Sequence, residues 1–248
     1  MQTISVNDPI AVAVVKAIRA GDVSALERLF AVNPRLATAQ LDGAPDGCGD
    51  GGIRRSLLHV ATDWPGHHPN GPAIVAALVT AGADIDARVS GPHSETPLHW
   101  AASSGDVAVL DALLDAGADI EADGAVIAGG TPLADATAFA QWNAAKRLVE
   151  RGARTTLFDA AALGLLDRVS DGVDAKDPPE REALTSAFWG ACHGGQQATA
   201  AYLLARGADL DWVGYDGLTP LDAARRSEAT EVVEWLRSRG ARSAETAG

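Results

Sequence analysis

A recurring tripeptide constrains the fold of this chain more than any other feature. Gly-Ala-Asp begins at Gly82, Gly117 and Gly207, and Gly-Ala-Arg begins at Gly152 and Gly240. In chain order the copies are 35, 35, 55 and 33 residues apart, and the interval of 55 is long enough to hide one degenerate copy. Repeats at intervals of about 20–50 residues are typical of stacked structural units rather than of one closed globule.

The clearest copy of the repeat indicates how one unit folds. Thr96 is a suitable helix N-cap, and Pro97 fits the first position of a helix. Gly105 and Asp106 interrupt that helix, and the spacing of apolar residues predicts a second helix over 107–116. Because neither short helix can bury its apolar face alone, neighbouring units must stack against each other.

Residues 96–122, TPLHWAASSGDVAVLDALLDAGADIEA, resemble the ankyrin repeat in length and order, and Thr-Pro-Leu recurs at Thr131 and Thr219. The resemblance implies an all-α ankyrin-repeat solenoid of about seven units, each a helix–turn–helix with a short hairpin-like finger. We expect a single ankyrin-repeat domain over 1–242, followed by a tail at 243–248. The units are expected at about 8–40, 53–87, 88–122, 123–155, 156–178, 179–212 and 213–242. A charged connector at 171–182 is expected to replace much of the second helix of the fifth unit.

The resemblance also implies where a partner binds. In ankyrin repeat proteins, the residues that end each first helix line a concave groove together with the fingers. The candidate partner-binding residues at these positions are Asp63, Trp64, His93, Glu95, Trp100, Ser103, Phe139, His193, Trp212 and Tyr215. Aromatic and charged side chains often carry most of the binding free energy of an interface. We therefore predict that this strip is the functional surface, the alternative being that some members, such as Phe139, belong to the core.

A histidine of the repeat has an implied structural role. In the family it forms a hydrogen bond that stabilises the turn of the neighbouring unit, and His59 and His99 occupy its place here. Ala134 and Asp222 stand at the same position in other units, which predicts a weaker turn network there. Trp189 also replaces this histidine and is expected in the core.

The insertion at 63–71, DWPGHHPNG, raises the possibility of a metal site. Asp63, His67, His68 and the more distant His93 are side chains of the types that bind zinc. Adjacent histidines on a short loop rarely bind one ion well, however, and no His-x-x-x-His or Cys-x-x-Cys spacing is present. We expect no metal and no cofactor.

Two classes of function remain after this survey. The favoured prediction is a non-catalytic interaction module that binds a protein partner of basic or mixed charge through the groove, because no phosphate-binding loop or Ser/His/Asp motif is visible. The alternative is a small-molecule binding protein or an enzyme. In that case Asp63 and His193 would form a general acid–base pair, joined by Asp135.

Composition excludes other partners. The chain carries 33 Asp and Glu against 20 Lys and Arg, a formal net charge of −13, which disfavours nucleic acids and anionic membranes. Cys48 and Cys192 are too few for a disulfide scaffold, and Cys48, in a Gly-rich loop over 42–52, is expected to be exposed. No apolar stretch reaches the roughly 18 residues of a membrane span, and the N-terminus lacks the pattern of a signal peptide. We expect a cytoplasmic protein.

Overall fold

A computed structural model of the chain describes residues 2–43, 53–91 and 93–247. The predicted exposure of Cys48 concerns a residue outside these ranges. The chain divides into two compact units, Met1–Ala153 and Arg154–Gly248. Within the described residues, no helix has both the length and the apolar character needed to cross a membrane. The cytoplasmic location remains a prediction.

The described residues of the first unit form four helix pairs. They are α1 (Pro9–Ala20) with α2 (Val23–Val32), α3 (Leu57–Thr62) with α4 (Gly71–Thr80), α5 (Pro97–Ser104) with α6 (Val107–Asp115), and α7 (Pro132–Ala138) with α8 (Trp142–Glu150). The first helices α1, α3, α5 and α7 pack in series, as do the second helices α2, α4, α6 and α8. Their shared core is made of fully buried leucines, among them Leu58, Leu98, Leu110, Leu113, Leu133 and Leu148.

A small sheet at the start of the chain corrects the all-α expectation. Strand β1 (Thr3–Ser5) pairs in parallel with β2 (Gln40–Asp42), which pairs antiparallel with β3 (Arg54–Ser56). Ile4 and Leu41 are buried at the centre of their strands. Strands of three residues are too short to show the alternation by which strands are recognised, so the sequence pattern could not reveal them. The class is therefore mostly helical, with this three-stranded sheet added.

The second unit repeats the arrangement of helix pairs. It contains α9 (Leu157–Ala162), α10 (Leu166–Val173), α11 (Arg181–His193), α12 (Gln197–Ala205), α13 (Pro220–Arg226), α14 (Thr230–Ser238) and α15 (Ala244–Ala247). Helices α9, α11 and α13 pack in series around the fully buried Phe188. Helix α10 is a complete second helix that ends at Val173, so the connector at 171–182 replaces less of this unit than expected.

Hydrogen bonds from side chains of α3, α5 and α11 reach the loop of the following repeat. The Nε2 atom of His59 lies 3.1 Å from the carbonyl oxygen of Glu95, and that of His99 lies 3.3 Å from the carbonyl oxygen of Gly130. Burial, the main cause, lowers the pKa of both imidazoles to about 4, so each is neutral at pH 7. Trp189 is buried as expected, and its indole N–H makes the equivalent bond to the carbonyl oxygen of Leu218 at 3.0 Å.

One part of the predicted weakening of this network is wrong. The Asp222 N–H donates to the Thr219 hydroxyl at 3.3 Å and the Thr219 N–H donates to the Asp222 carboxylate at 3.4 Å, which closes a capping box. The Thr219 hydroxyl also donates to that carboxylate at 2.8 Å. Asp159 caps α9 in the same way with Thr156. A carboxylate at this position satisfies the helix start as the histidine does. Ala134 has no polar side chain to offer at this position, and its helix α7 has no side-chain cap.

Candidate partner-binding surface

The ends of the first helices lie side by side in the first unit. We call the residues at and just after their C-terminal ends the helix-end row: Asp63, Trp64, Ser103, Ser104, Ala138 and Phe139. Adjacent ends approach closely, because a Cβ atom built on Gly66 would lie 2.9 Å from the Ser104 hydroxyl and one on Gly105 would meet the Gln141 side chain. The series packing of α3, α5 and α7 therefore places these sequence-distant residues along one line.

Two aromatic side chains of the helix-end row are exposed. Trp64 is 82% exposed and Phe139 is 48% exposed. Ser103 is half-buried and donates to the carbonyl oxygen of Trp100 at 3.1 Å. Trp100 is itself half-buried, with its ring edge-on to His59 at 4.9 Å between centroids. Trp100 is therefore partly packed and partly exposed, so it is neither a pure core residue nor a fully exposed one.

The loop that carries Trp64 is fixed to the repeats on both sides. The backbone N–H of His67 donates to Asp106 at 2.7 Å, and the Asn70 side-chain amide donates to the carbonyl oxygen of Gly21 at 3.0 Å. Gly21 has a φ of +67°, and a Cβ there would collide with the carbonyl of Pro69. The exposed indole therefore stands on an anchored loop.

The histidines of this loop do not form a metal cluster with the other predicted ligands. His67 is exposed, with its Nδ1 atom 4.0 Å from Asp106, while burial followed by the charge of Arg19 lowers the pKa of His68. Among the described residues, no group of three or more His, Cys, Asp or Glu side chains is arranged to hold a metal ion.

A buried carboxyl pair lies beside the helix-end row. Glu95, at the base of a finger, accepts a hydrogen bond from the Trp100 indole, and burial raises its pKa. Asp135, on α7, is fully buried, and no hydrogen bond of good geometry from the described residues satisfies its carboxyl oxygens. Looser interactions with Glu95 and with the N–H groups of Val126 and Ile127 hold it.

The protonation of this pair follows from its surroundings. Burial first, and then the charge of Glu95, raises the pKa of Asp135 to about 7. The exposed His93 favours the charged form of Glu95, since its charge lowers the pKa of that carboxyl. At neutral pH Asp135 is therefore protonated in a large fraction of molecules, and the two carboxyls titrate as a pair. The structure thus brings together Glu95, Trp100 and Asp135 of the predicted residues.

Arginines that the sequence argument overlooked surround Asp63. Arg55 donates to the Asp63 carboxylate at 3.0 Å, and Arg19 lies 3.6 Å from the same oxygen. Arg19 lies in the last turn of α1, two residues before Gly21-Asp22, as Ser103 lies two residues before Gly105-Asp106. Alignment of the first repeat would therefore have identified Arg19 as a residue of this surface. Arg55 occupies the finger position of Glu95, in a repeat too degenerate for that match to be seen.

The predicted residues of the second unit form an aromatic cluster. The ring of Trp189 lies 5.4 Å from that of Tyr215 and 5.2 Å from that of His193, and Tyr215 lies 5.7 Å from Trp212, all between centroids. Tyr215 is 48% exposed and its hydroxyl lies 3.1 Å from that of Ser186, whereas Trp212 is half-buried. Phe158, which was not predicted, packs against both Trp189 and Tyr215.

The acid–base alternative receives no geometric support within either unit. Asp63 is paired with arginines, Asp135 is paired with Glu95, and both belong to the first unit. His193 belongs to the second unit, is only 3% exposed, and has its Nδ1 atom 2.8 Å from the Ser227 hydroxyl. Small-molecule binding or catalysis by these residues remains a prediction from the sequence.

Comparison with known proteins places this geometry in a family. Residues 58–159 match the family described as ankyrin repeats, in three copies. The ankyrin repeat domain of human ASB11 is similar in structure, with a TM-score of 0.50 and 21% identity over 90% of this chain and 96% of that chain. The comparison with curated proteins gave no match. The repeated helix pairs and the match over residues 58–159 together show that this chain contains ankyrin repeats and has the ankyrin-repeat fold.

Proposed function

We propose that the protein is a non-catalytic interaction module that binds a protein partner through the helix-end row and the adjoining fingers. Ankyrin repeat domains generally serve as protein-interaction modules. The observation that carries the proposal is the exposure of two large aromatic side chains, Trp64 at 82% and Phe139 at 48%, on one line of the surface.

The setting of these rings favours binding over core packing. Exposed aromatic rings rimmed by polar groups are typical of interaction sites, and Trp and Tyr are enriched among residues that dominate binding free energies. Trp64 stands on a loop whose hydrogen bonds to Asp106 and Gly21 hold it in place, so little ordering is needed on binding. The partially exposed Tyr215 offers a corresponding aromatic contact in the second unit.

Site-specific photo-crosslinking in the native cell tests the proposal. The photoreactive amino acid p-benzoyl-phenylalanine replaces Trp64 or Phe139, and a matched control carries it at Val32, which is 79% exposed at the end of α2 and outside the helix-end row. We expect one shared protein adduct from the first two positions, with no such adduct from the third. The same adducts at all three positions, or none at any, would contradict a specific surface.

A second measurement separates binding from folding. Trp64→Ala with Phe139→Ala should weaken capture of the crosslinked partner at least tenfold, since truncation of an aromatic anchor costs about 2 kcal/mol or more. The thermal unfolding midpoint should change little, because both rings are exposed. Undiminished capture by the double variant would show that the partner binds elsewhere.

A further inference from the structure

The N-terminal end of the helix-end row has a local charge opposite to that of the whole chain. Arg19 and Arg55 both approach one oxygen of Asp63, at 3.6 and 3.0 Å. The Arg55 side chain is 9% exposed, that of Asp63 21% and that of Arg19 41%. Two guanidinium groups therefore share a single carboxylate in a partly buried corner of a protein whose net charge is −13.

Neighbouring groups leave this excess of positive charge in place. His68 lies close by, but burial and the charge of Arg19 lower its pKa, so it is mostly neutral at pH 7. Asp106 keeps its charge, but it accepts the N–H groups of His67 and Val109 at the start of α6 and, among the described residues, forms no ion pair with Arg19 or Arg55. The corner formed by Arg19, Arg55 and Asp63 thus carries a net charge of about +1.

Arg55 uses only part of its hydrogen-bonding capacity. A guanidinium has five N–H donors in a planar fork that matches a carboxylate. In the described part of the chain, the Arg55 fork donates to Asp63 through Nη1, while its Nε is buried and has no partner. An unsatisfied buried donor is costly. Because the Nε atom itself has almost no accessible surface, an acceptor from outside would reach this pair first through Arg19, whose side chain is 41% exposed, and would reach Arg55 only where its guanidinium remains accessible.

We propose that Arg19 and Arg55 bind a carboxylate side chain of the partner, within an acidic peptide segment whose adjacent apolar residue packs on Trp64. This inference rests on the proposed function and adds the chemistry of the partner to it. Charge complementarity argues for an acidic group, because a lysine or arginine would meet two fixed guanidinium groups here. Trp64 follows Asp63 directly and is 82% exposed, so it is available beside the ion pair.

The next finger carries a residue of opposite charge, and this difference would fix the register of such a peptide. Glu95 occupies the finger position equivalent to Arg55, and it shares a buried site with Asp135. A peptide carboxylate is favoured at the first position and repelled at the second. Alternation of charge along one surface gives specificity through repulsion as well as attraction.

A display library of random short peptides tests the inference. Selections are carried out against the wild-type chain, Arg19→Gln, Arg55→Gln and a matched control, Arg28→Gln, which changes an exposed arginine on α2. We expect wild type and R28Q to select peptides with Asp or Glu at a fixed position beside an apolar residue. Binding of those peptides should weaken about 10- to 100-fold in R19Q and R55Q, as expected for loss of a charge-assisted hydrogen bond.

The outcomes distinguish this inference from the proposed function. Selected peptides that need Trp64 and Phe139 but carry no acidic position, or whose acidic position survives both R19Q and R55Q, would overturn the inference and leave the interaction surface intact. Failure to select any peptide would overturn it as well, while the crosslinking experiment decides the proposed function independently. If R55Q fails to fold, R19Q alone decides, because the Arg19 side chain is 41% exposed.

One further experiment distinguishes binding of a free anion from binding of a peptide carboxylate. Inorganic phosphate and acetate are titrated against the wild-type chain while the Nε–Hε NMR signal of Arg55 is followed. We expect weak, unsaturated shifts with both ions and saturation with a selected peptide. Saturation by phosphate alone, with no competition from the peptide, would overturn the assignment to a partner carboxylate.

Discussion

Replacement of Asp135 by Asn should change how stability depends on pH. The folded chain raises the pKa of this carboxyl from 3.8 to about 7, mainly through burial and then through the charge of Glu95. Because the folded state holds the proton more tightly than the unfolded state, the contribution of Asp135 to stability is fully present below about pH 4. It is lost as pH rises towards 7.

The size of the effect follows from that shift. Each tenfold change in proton affinity is worth about 1.4 kcal/mol, so the rise from 3.8 to about 7 corresponds to about 4 kcal/mol across this range. The amide of Asn cannot ionise, yet it can donate to Glu95 as the protonated Asp135 carboxyl does. D135N should therefore resemble wild type near pH 3.5 and be more stable by up to about 4 kcal/mol near pH 8.

Urea unfolding followed by circular dichroism at several pH values measures this difference. Subtraction of the wild-type curve cancels the titrating groups that do not interact with Asp135, including His59 and His99, whose pKa values burial lowers to about 4. Glu95 does not cancel, because its pKa depends on Asp135. Glu27→Gln, at an exposed carboxyl on α2, serves as the control and should show no such divergence. Parallel wild-type and D135N curves, or equal destabilisation by D135N at every pH, would refute this description of the carboxyl pair.

Two further predictions concern the capping network. Trp189→Phe removes the indole N–H that bonds to Leu218 and should lower the free energy of unfolding by about 1–3 kcal/mol. Trp235→Phe, at a partly buried indole, should have a smaller effect. Equal losses of stability in urea unfolding would show that the bond contributes nothing. Asp222→His restores the family residue, which can still pair with the Thr219 hydroxyl, but it loses the carboxylate that accepts the backbone N–H of Ala244. It should therefore cost about 1–2 kcal/mol, and a rise in melting temperature would contradict this role of Asp222.

The features predictable from the sequence are those that depend on local chemistry. Thr96, Pro97 and Gly105 mark the ends of α5, and the spacing of apolar residues predicts α6, so the helix pairs follow from capping and periodicity. The sheet was not predictable in this way, because β1 and β2 come together from opposite ends of the first helix pair. Their pairing depends on how α1 and α2 pack, which no local pattern records.

The same distinction between local patterns and tertiary packing applies to the candidate site. Alignment placed Trp64 and Phe139 at the ends of first helices, and both are exposed there. The sequence does not predict the ion pairs of Asp63 or the carboxyl pair of Asp135. Both arrangements include a finger side chain, Arg55 or Glu95, and a finger residue has no periodic pattern that predicts where its side chain lies. Arg55 and Glu95 occupy equivalent places with opposite charge, which repeat alignment alone treats as ordinary variation.

The anchored loop at 63–70 has a consequence for how the first unit opens. Its hydrogen bonds reach backward to the carbonyl of Gly21 and forward to the carboxylate of Asp106, so one segment ties three successive repeats together. Repeat arrays otherwise open by fraying from an end, one unit at a time, because each unit touches only its neighbours. Here the N-terminal repeat cannot detach without breaking a bond to the second repeat's insertion. Amide protons in α1, α3 and α5 should accordingly exchange with solvent as one cooperative group.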